Sequence, residues 1–137
     1  MSVVPDAPLH LIRSFADTRG TDLDTDLLAT REEAVAWLRT AALLPAEAGL
    51  SNSEHAALLR LRESIRDVLA AHADGREDPA AAERLTRALA EGRLVLTVGP
   101  SGTVRLASAA RASYPNLVAA FAIAISAAAA SGMWPGG

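Results

Sequence analysis

From Ala112 to Gly137 the chain contains no charged side chain, and this stretch constrains the fold more than any other. Its large apolar residues end at Ile125, and alanine and serine fill positions 126–131. A membrane span needs about 20 strongly apolar residues, so this composition argues against one. A helix that is apolar on every side belongs in the middle of a fold or in a subunit interface. We therefore predict a central or interface helix, and no contact with a membrane.

The composition sets the class of protein. A chain of 137 residues can form one domain with a real core, and without cysteine it has neither disulfides nor thiolate metal sites. The net charge of −3 counts against nucleic-acid binding by this chain, because such proteins normally carry a basic surplus. The first ten residues have neither a basic start nor an apolar run, so they do not resemble a secretion signal. A soluble cytoplasmic protein is the expectation.

Four helices are predicted before the charge-free stretch. The first is short, places Ile12 and Phe15 on one side, and ends before Gly20. The second begins at Thr30, where Glu33 stands at the spacing of a capping-box partner, and Pro45 and Gly49 end it.

The third helix has the clearest pattern of all. Ser51 and Glu54 form a second capping box, leucines and isoleucine recur at three-and-four spacing, and Gly75 provides a C-cap. Asp78-Pro79 combines an N-cap with a proline in the first turn, and so begins a fourth helix that ends at Gly92.

The apolar period then changes from helical to alternating. Leu94, Leu96 and Val98 share one face of a strand, and Val104 and Leu106 can match them across a Gly-Pro-Ser-Gly turn. A lone hairpin is marginal in water, so we expect this face to be buried on helices or beside another strand. The predicted fold is α+β and mostly helical, with about five helices and one antiparallel hairpin in a single domain over residues 1–137.

One acidic segment has part of the spacing of a calcium loop. Asp22, Asp24, Asp26 and Glu33 stand at the first, third, fifth and twelfth positions of an EF-hand. The sixth position, which should be glycine, is Leu27. We therefore favour a solvated acidic loop that leads into a helix N-terminus, where negative charge is stabilising.

Signals for catalysis are weak. His10, His55 and His72 are scattered over different elements, and His72 is interpreted as a core or helix-end residue rather than a metal ligand. The sequence contains neither a G-x-S-x-G nucleophile elbow nor a glycine-rich phosphate loop before a helix. A non-catalytic protein is predicted, and a hydrolase or transferase of unrecognised type is a distant alternative.

One polar cluster is a candidate binding site. Arg13 and Asp17 lie near the end of the first helix, where docking on the third helix could bring them to Arg62 or Arg66. Such a set is either an ordinary group of salt bridges or the edge of a pocket for an acidic or planar small molecule. The complete set of candidate ligand-binding residues is Arg13, Phe15, Asp17, Trp37, Arg62 and Arg66.

Four segments, in order, resemble one bacterial family. Residues 15–18, "FADT", are similar to its F-V-N-T segment, and residues 26–38 to its D-x-L-A-T-P-x-x-L-x-x-W-L block. Residues 59–66 resemble its L-R-x-L-R-x-x-L-R helix, and residues 130–135 its closing A-x-G-x-W-P. The family is the ABATE domain, which precedes a CGNR-type zinc finger in proteins described as stress-induced transcription regulators.

This resemblance implies a division of labour. Zinc and DNA contact would belong to a finger that follows Pro135 in the family and is absent from this sequence, where Gly136 and Gly137 stand instead. The chain would then be a non-catalytic regulatory domain that senses a ligand, forms a homodimer, or both, with Phe121 and Trp134 at an interface or hinge. Asp17 stands where the family commonly has asparagine, so a role that needs an amide donor is in doubt. A stand-alone small-molecule-binding protein without the finger is the alternative.

Overall fold

The computed structural model describes residues 7–20, 25–109 and 112–135. The predicted class is confirmed, because the described residues form a mostly helical α+β fold. The elements in chain order are α1 (Ala7–Ala16), α2 (Arg31–Thr40), α3 (Asn52–Ala73), α4 (Pro79–Leu89), β1 (Leu94–Val98), β2 (Val104–Ser108) and α5 (Ser113–Ala130).

Side-chain caps fix where three helices begin, as the sequence predicts. Thr30 accepts a hydrogen bond from the backbone N–H of Glu33 at 3.1 Å. Ser51 and Glu54 form the complete reciprocal capping box. The carboxylate of Asp78 caps α4 through the N–H of Ala81 at 3.0 Å. These bonds satisfy N–H groups that a helix start would otherwise leave without a partner.

Helix α3 lies at the centre of the helical body. It contacts α1, α2 and α4, while α5 packs on α1 and α4. The largest fully buried side chains come from α1, α2, α3, α5 and the loop before α2: Ile12, Phe15, Thr18, Leu28, Leu38, Leu58, Leu61, Ile65, Leu117, Val118 and Phe121.

Helix α5 is a core helix, which is one of the two environments predicted for the charge-free stretch. Within residues 7–20, 25–109 and 112–135 it is the one helix long and apolar enough to cross a membrane, with 18 residues and a mean hydropathy of 1.5. Val118 and Phe121 are nevertheless fully buried among the other helices. Packing inside the fold therefore accounts for one side of the helix, since 39% of its residues are buried.

The hairpin forms with the predicted strands, but the prediction of a buried face is wrong. Leu96 pairs with Leu106, and Val98 pairs with Val104. Leu96 is 58% exposed and Val98 is 65% exposed. The main contact of the hairpin with the helical body is between β2 and α5. The apolar row of β1 therefore stays open to solvent.

Two glycines explain the shape of the hairpin. Gly102 has a φ of +87°, which favours glycine, and its N–H donates to the carbonyl of Gly99 at 2.9 Å to close the turn. Gly92, just before β1, lies against α5 so closely that a Cβ there would be 2.7 Å from the backbone nitrogen of Ala119. The sequence marks Gly92 only as the end of a helix, whereas the structure shows a close backbone approach.

Candidate ligand groove and the arginine cluster

Arg62 on α3 is a buried guanidinium that makes four side-chain hydrogen bonds. Its side chain is 4% exposed and grips Asp26 with two hydrogen bonds, Nη1 to Oδ1 at 2.6 Å and Nη2 to Oδ2 at 2.9 Å. Its Nε donates to Glu63 at 3.0 Å, and Nη1 also reaches the hydroxyl of Thr18 at 3.3 Å. This bidentate geometry is the strongest form of arginine–carboxylate pairing.

Local backbone pairing places Asp26 against Arg62. Arg19 and Asp26 form an isolated antiparallel bridge, and the N–H of Leu27 donates to the carbonyl of Thr18 at 2.8 Å. The N–H of Leu28 also donates to Asp26 Oδ1 at 2.9 Å. Backbone pairing therefore fixes the position of Asp26, and the N–H of Leu28 orients its carboxylate.

The charges of this pair reinforce each other. The hydrogen bonds from the Arg62 guanidinium lower the pKa of Asp26 below its ordinary value of 3.8, against the opposing effect of partial burial. Burial alone would lower the pKa of Arg62, but hydrogen bonds and charge from Asp26 and Glu63 raise it. Both groups are ionised at neutral pH.

Arg66, one turn further along α3, supports the end of α1. Its Nη1 donates to the carbonyl of Ala16 at 2.7 Å and to that of Arg19 at 3.2 Å. Carbonyl groups at a helix C-terminus lack partners within the helix, and an arginine there also offsets the helix dipole. Arg62 and Arg66 thus hold the segment after α1 on the face of α3.

The predicted meeting of the first and third helices occurs, but with different partners. The carboxylate on Arg62 is Asp26, not Asp17, and Arg66 binds backbone carbonyls. The sequence predicts Asp26 in a solvated acidic loop rather than in a calcium site; Asp22 and Asp24 of that loop lie outside the described residues. Arg62 stands four residues after Leu58 and three before Ile65, and this place in the apolar spacing is the sequence signal that it is buried and needs an acidic partner. The spacing does not identify which carboxylate that partner is.

Of the predicted aromatic residues, Phe15 and Phe121 lie in the core. Phe15 is fully buried, stacks on Phe121 with ring centroids 4.3 Å apart, and contacts Trp37 at 5.9 Å. Phe15 and Phe121 therefore offer no surface to a ligand or partner in this structure. Trp37 and Trp134 are partly buried and pack against the core.

Arg13 and Asp17 line a separate groove, on the side where α1 and α3 end. Its volume is about 660 Å³, and its wall is completed by Ala16, Leu69, His72, Ala73 and Pro135. A second groove of about 440 Å³, between α3 and the start of α4, shares His72 and Pro135 with it. We call the first of these the Arg13 groove.

Another groove, of about 480 Å³, lies between α3, α4 and the start of α5. Arg84 and Asp67 on its wall form an ion pair at 3.1 Å. Burial raises the pKa of Tyr114, at its edge, to about 12. This phenol therefore stays protonated at neutral pH and offers no base.

Metal binding finds no support in the part of the chain that the structure describes. There, no three His, Cys, Asp or Glu side chains stand close enough to hold an ion. The side chain of Asp26 is engaged by Arg62, and Glu33 accepts a hydrogen bond from the Thr30 hydroxyl at 3.0 Å.

The family comparison matches residues 7–132 to the ABATE model, which carries the description "Putative stress-induced transcription regulator". No curated protein and no solved structure matches the chain. The matched range covers nearly the whole sequence and includes the Thr18, Asp26 and Arg62 cluster as well as the hairpin. The resemblance predicted from the four segments is therefore confirmed: the chain belongs to the ABATE family.

Proposed function

We propose that this chain is the non-catalytic, cytoplasmic regulatory domain of a bacterial transcription regulator, and that it binds a small molecule in the Arg13 groove. The family description names regulation and no reaction, which supports the first half of the proposal. The observation that carries the second half is that Arg13 and Asp17 share a groove with Pro135.

The side chains of Arg13 and Asp17 in the Arg13 groove are free to bind a ligand, in contrast to Arg62 and Arg66. Arg62 and Arg66 are occupied by Asp26, Glu63 and backbone carbonyls. Arg13 and Asp17 are exposed, and neither forms an ion pair with another described residue. An incoming ligand can therefore use both charges without breaking a pair.

The lining suits a planar molecule with a carboxylate. The guanidinium of Arg13 matches a carboxylate with two parallel N–H donors. Leu69, Ala73 and Pro135 supply apolar surface for a ring, and Asp17 can accept a hydrogen bond from a hydroxyl or amine. An aromatic hydroxy- or aminocarboxylate combines these three features.

A ligand bound in this groove would also contact Pro135. The preceding residue, Trp134, packs against the core, and its N–H donates to the carbonyl of Ala128 at 3.2 Å. A ligand that contacts Pro135 would fix the direction in which the chain leaves the domain. In family members that carry the zinc finger, as the resemblance implies, DNA binding would belong to a finger that follows this point.

The experiment is a thermal-shift titration of the chain with salicylate and with anthranilate. A ligand that binds the folded state raises Tm by mass action. We expect Arg13→Ala to abolish this rise, because it removes the carboxylate partner. Arg87→Ala, which removes an exposed arginine from a different groove, is the matched control and should keep it.

Tryptophan fluorescence gives a second readout at the groove. Trp134 adjoins Pro135, so ligand binding should change its emission, and the change should disappear in Trp134→Phe while the Tm rise remains. Equal stabilisation of the wild type and of Arg13→Ala would reject the Arg13 groove as the site. No stabilisation by either carboxylate would reject the proposed ligand class.

A further inference from the structure

The hairpin carries an apolar face that the rest of the described chain leaves open. Leu94, Leu96, Val98, Val104 and Leu106 are each between 40% and 65% exposed. Because directly paired residues of an antiparallel hairpin share a face, these five side chains form one surface. We call it the hairpin face.

This surface is exceptional within the molecule. Of the large exposed apolar side chains among the described residues, five form the hairpin face, Val95 lies on the opposite face of the hairpin, and Leu27 lies outside the hairpin. Soluble proteins normally protect exposed strands with charged side chains, proline or a covering element. The single charged residue in the two strands, Arg105, pairs with Thr97 on the opposite face. The hairpin face itself therefore carries no charge that would oppose association.

We infer that the hairpin face is the contact surface of a homodimer, in which the hairpin of a second copy covers it. An uncharged apolar surface is complemented by another uncharged apolar surface, and among the described residues the hairpin is where this chain presents one. A two-fold arrangement brings the same patch of both copies together, which is the commonest form of homodimer contact.

The area agrees with a small interface. Five Leu and Val side chains, each about half exposed, offer roughly 400 Å² of apolar surface, within the range of the largest patch on a typical monomer. Two such patches with a polar rim reach about 1,000 Å², the lower bound for a specific protein–protein contact. The dimer is therefore expected to dissociate in the micromolar range.

Pairing also explains how the hairpin persists. A two-stranded hairpin alone is marginal in water, and this one is tied to the helical body mainly through β2, α5 and the close approach at Gly92. A second hairpin packed on the open face would bury its leucines and valines. The homodimer expected from the sequence is thereby assigned to the hairpin, and the fully buried Phe121 takes no part in it.

The first test is sedimentation velocity on the chain from about 1 to about 500 µM, which spans the affinities of small interfaces. The wild type should move from one chain mass to two, and Leu96→Glu should weaken dimerisation at least tenfold. Thr97→Glu adds the same charge to the same strand on the opposite face, next to Arg105, and should leave the dissociation constant unchanged.

A second test does not depend on a destabilising charge. The chain has no cysteine, so single cysteines can be introduced cleanly. With a short bismaleimide, Leu96→Cys should cross-link into dimers, and Thr97→Cys should cross-link at least tenfold more slowly.

Three results would overturn the inference. The first is a wild type that is monomeric at every concentration, including one whose hairpin is protected by a different protein. The others are equal weakening of dimerisation by Leu96→Glu and Thr97→Glu, and equal cross-linking of Leu96→Cys and Thr97→Cys. Ligand binding is tested separately, because monomeric Leu96→Glu retains the Arg13 groove. Failure of one proposal therefore leaves the other standing.

Discussion

Leu61 on α3 and Leu96 on β1 are the same side chain in opposite surroundings. Leu61 is fully buried beside the arginine cluster, whereas Leu96 is 58% exposed on the hairpin face. In the helical body even the charged side chain of Arg62 is buried and paired, while in the hairpin apolar side chains meet water. The helical body buries its large apolar side chains within one chain, whereas the hairpin leaves its own exposed. This difference suggests that the helices supply stability and the hairpin supplies an interaction.

The largest expected effect comes from truncating the two leucines. Leu61→Ala should lower the free energy of unfolding by about 2–5 kcal/mol, because it leaves a cavity in the core. Leu96→Ala should change it by less than about 0.5 kcal/mol in dilute, monomeric protein, as is usual for exposed positions. Urea unfolding at low protein concentration measures both. A large loss for Leu96→Ala under these conditions would mean that the monomer buries the hairpin face after all.

Gly92 tests the junction between the two regions. Gly92→Ala should cost about 1–3 kcal/mol, because the new Cβ would overlap the backbone of α5 at Ala119. Gly49→Ala is the matched control, since a Cβ there meets nothing within 4 Å, and it should be neutral or slightly stabilising. If both variants unfold at the same urea concentration, the close approach at Gly92 is not present in solution.

The smallest expected effect is the pH dependence of the stability that the Arg62–Asp26 pair contributes. The Arg62 guanidinium lowers the pKa of Asp26 in the folded state, so this pair contributes stability above the unfolded-state pKa of 3.8 and loses it as pH falls through the lower folded-state pKa. Asp26→Asn should therefore be less stable than the wild type at neutral pH. The difference should shrink as the pH is lowered through this range.

The measurement for this pair is the free energy of unfolding of both proteins between pH 7 and pH 2. Glu47→Asn is a suitable control, because Glu47 forms no ion pair with another described residue. A constant difference between Asp26→Asn and the wild type across this range would contradict the role assigned to the carboxylate.

The helical body was largely predictable because its signals are local. Ser51 and Asp78 define helix starts through bonds to backbone groups three residues away, and the apolar spacing of α3 identifies its buried face. The family resemblance was also readable from short segments. The strands of the hairpin were predicted correctly for the same reason, since alternating apolar residues and a Gly-Pro-Ser-Gly turn are local patterns.

The wrong or missing parts depend on contacts between distant residues. Arg62 and Asp26 are 36 positions apart, and no local pattern selects Asp26 over Asp17 as the partner. The exposure of Leu96 depends on how the hairpin is oriented against α5, and an alternating sequence cannot specify that orientation. The Arg13 groove likewise needs Pro135, which comes from the opposite end of the chain.

Pro135 lies on the wall of two neighbouring grooves, so ligands that each favoured one placement of Pro135 would be thermodynamically linked. If a ligand in one groove favours a particular placement of Pro135, a restraint that favours the same placement must raise the affinity for the ligand. The ligand must raise the affinity for that restraint by the same factor. Reciprocity of this kind requires no rearrangement of the helical core. A tether attached at Pro135 would thus act as an effector of the domain, and the domain as an effector of whatever the tether holds.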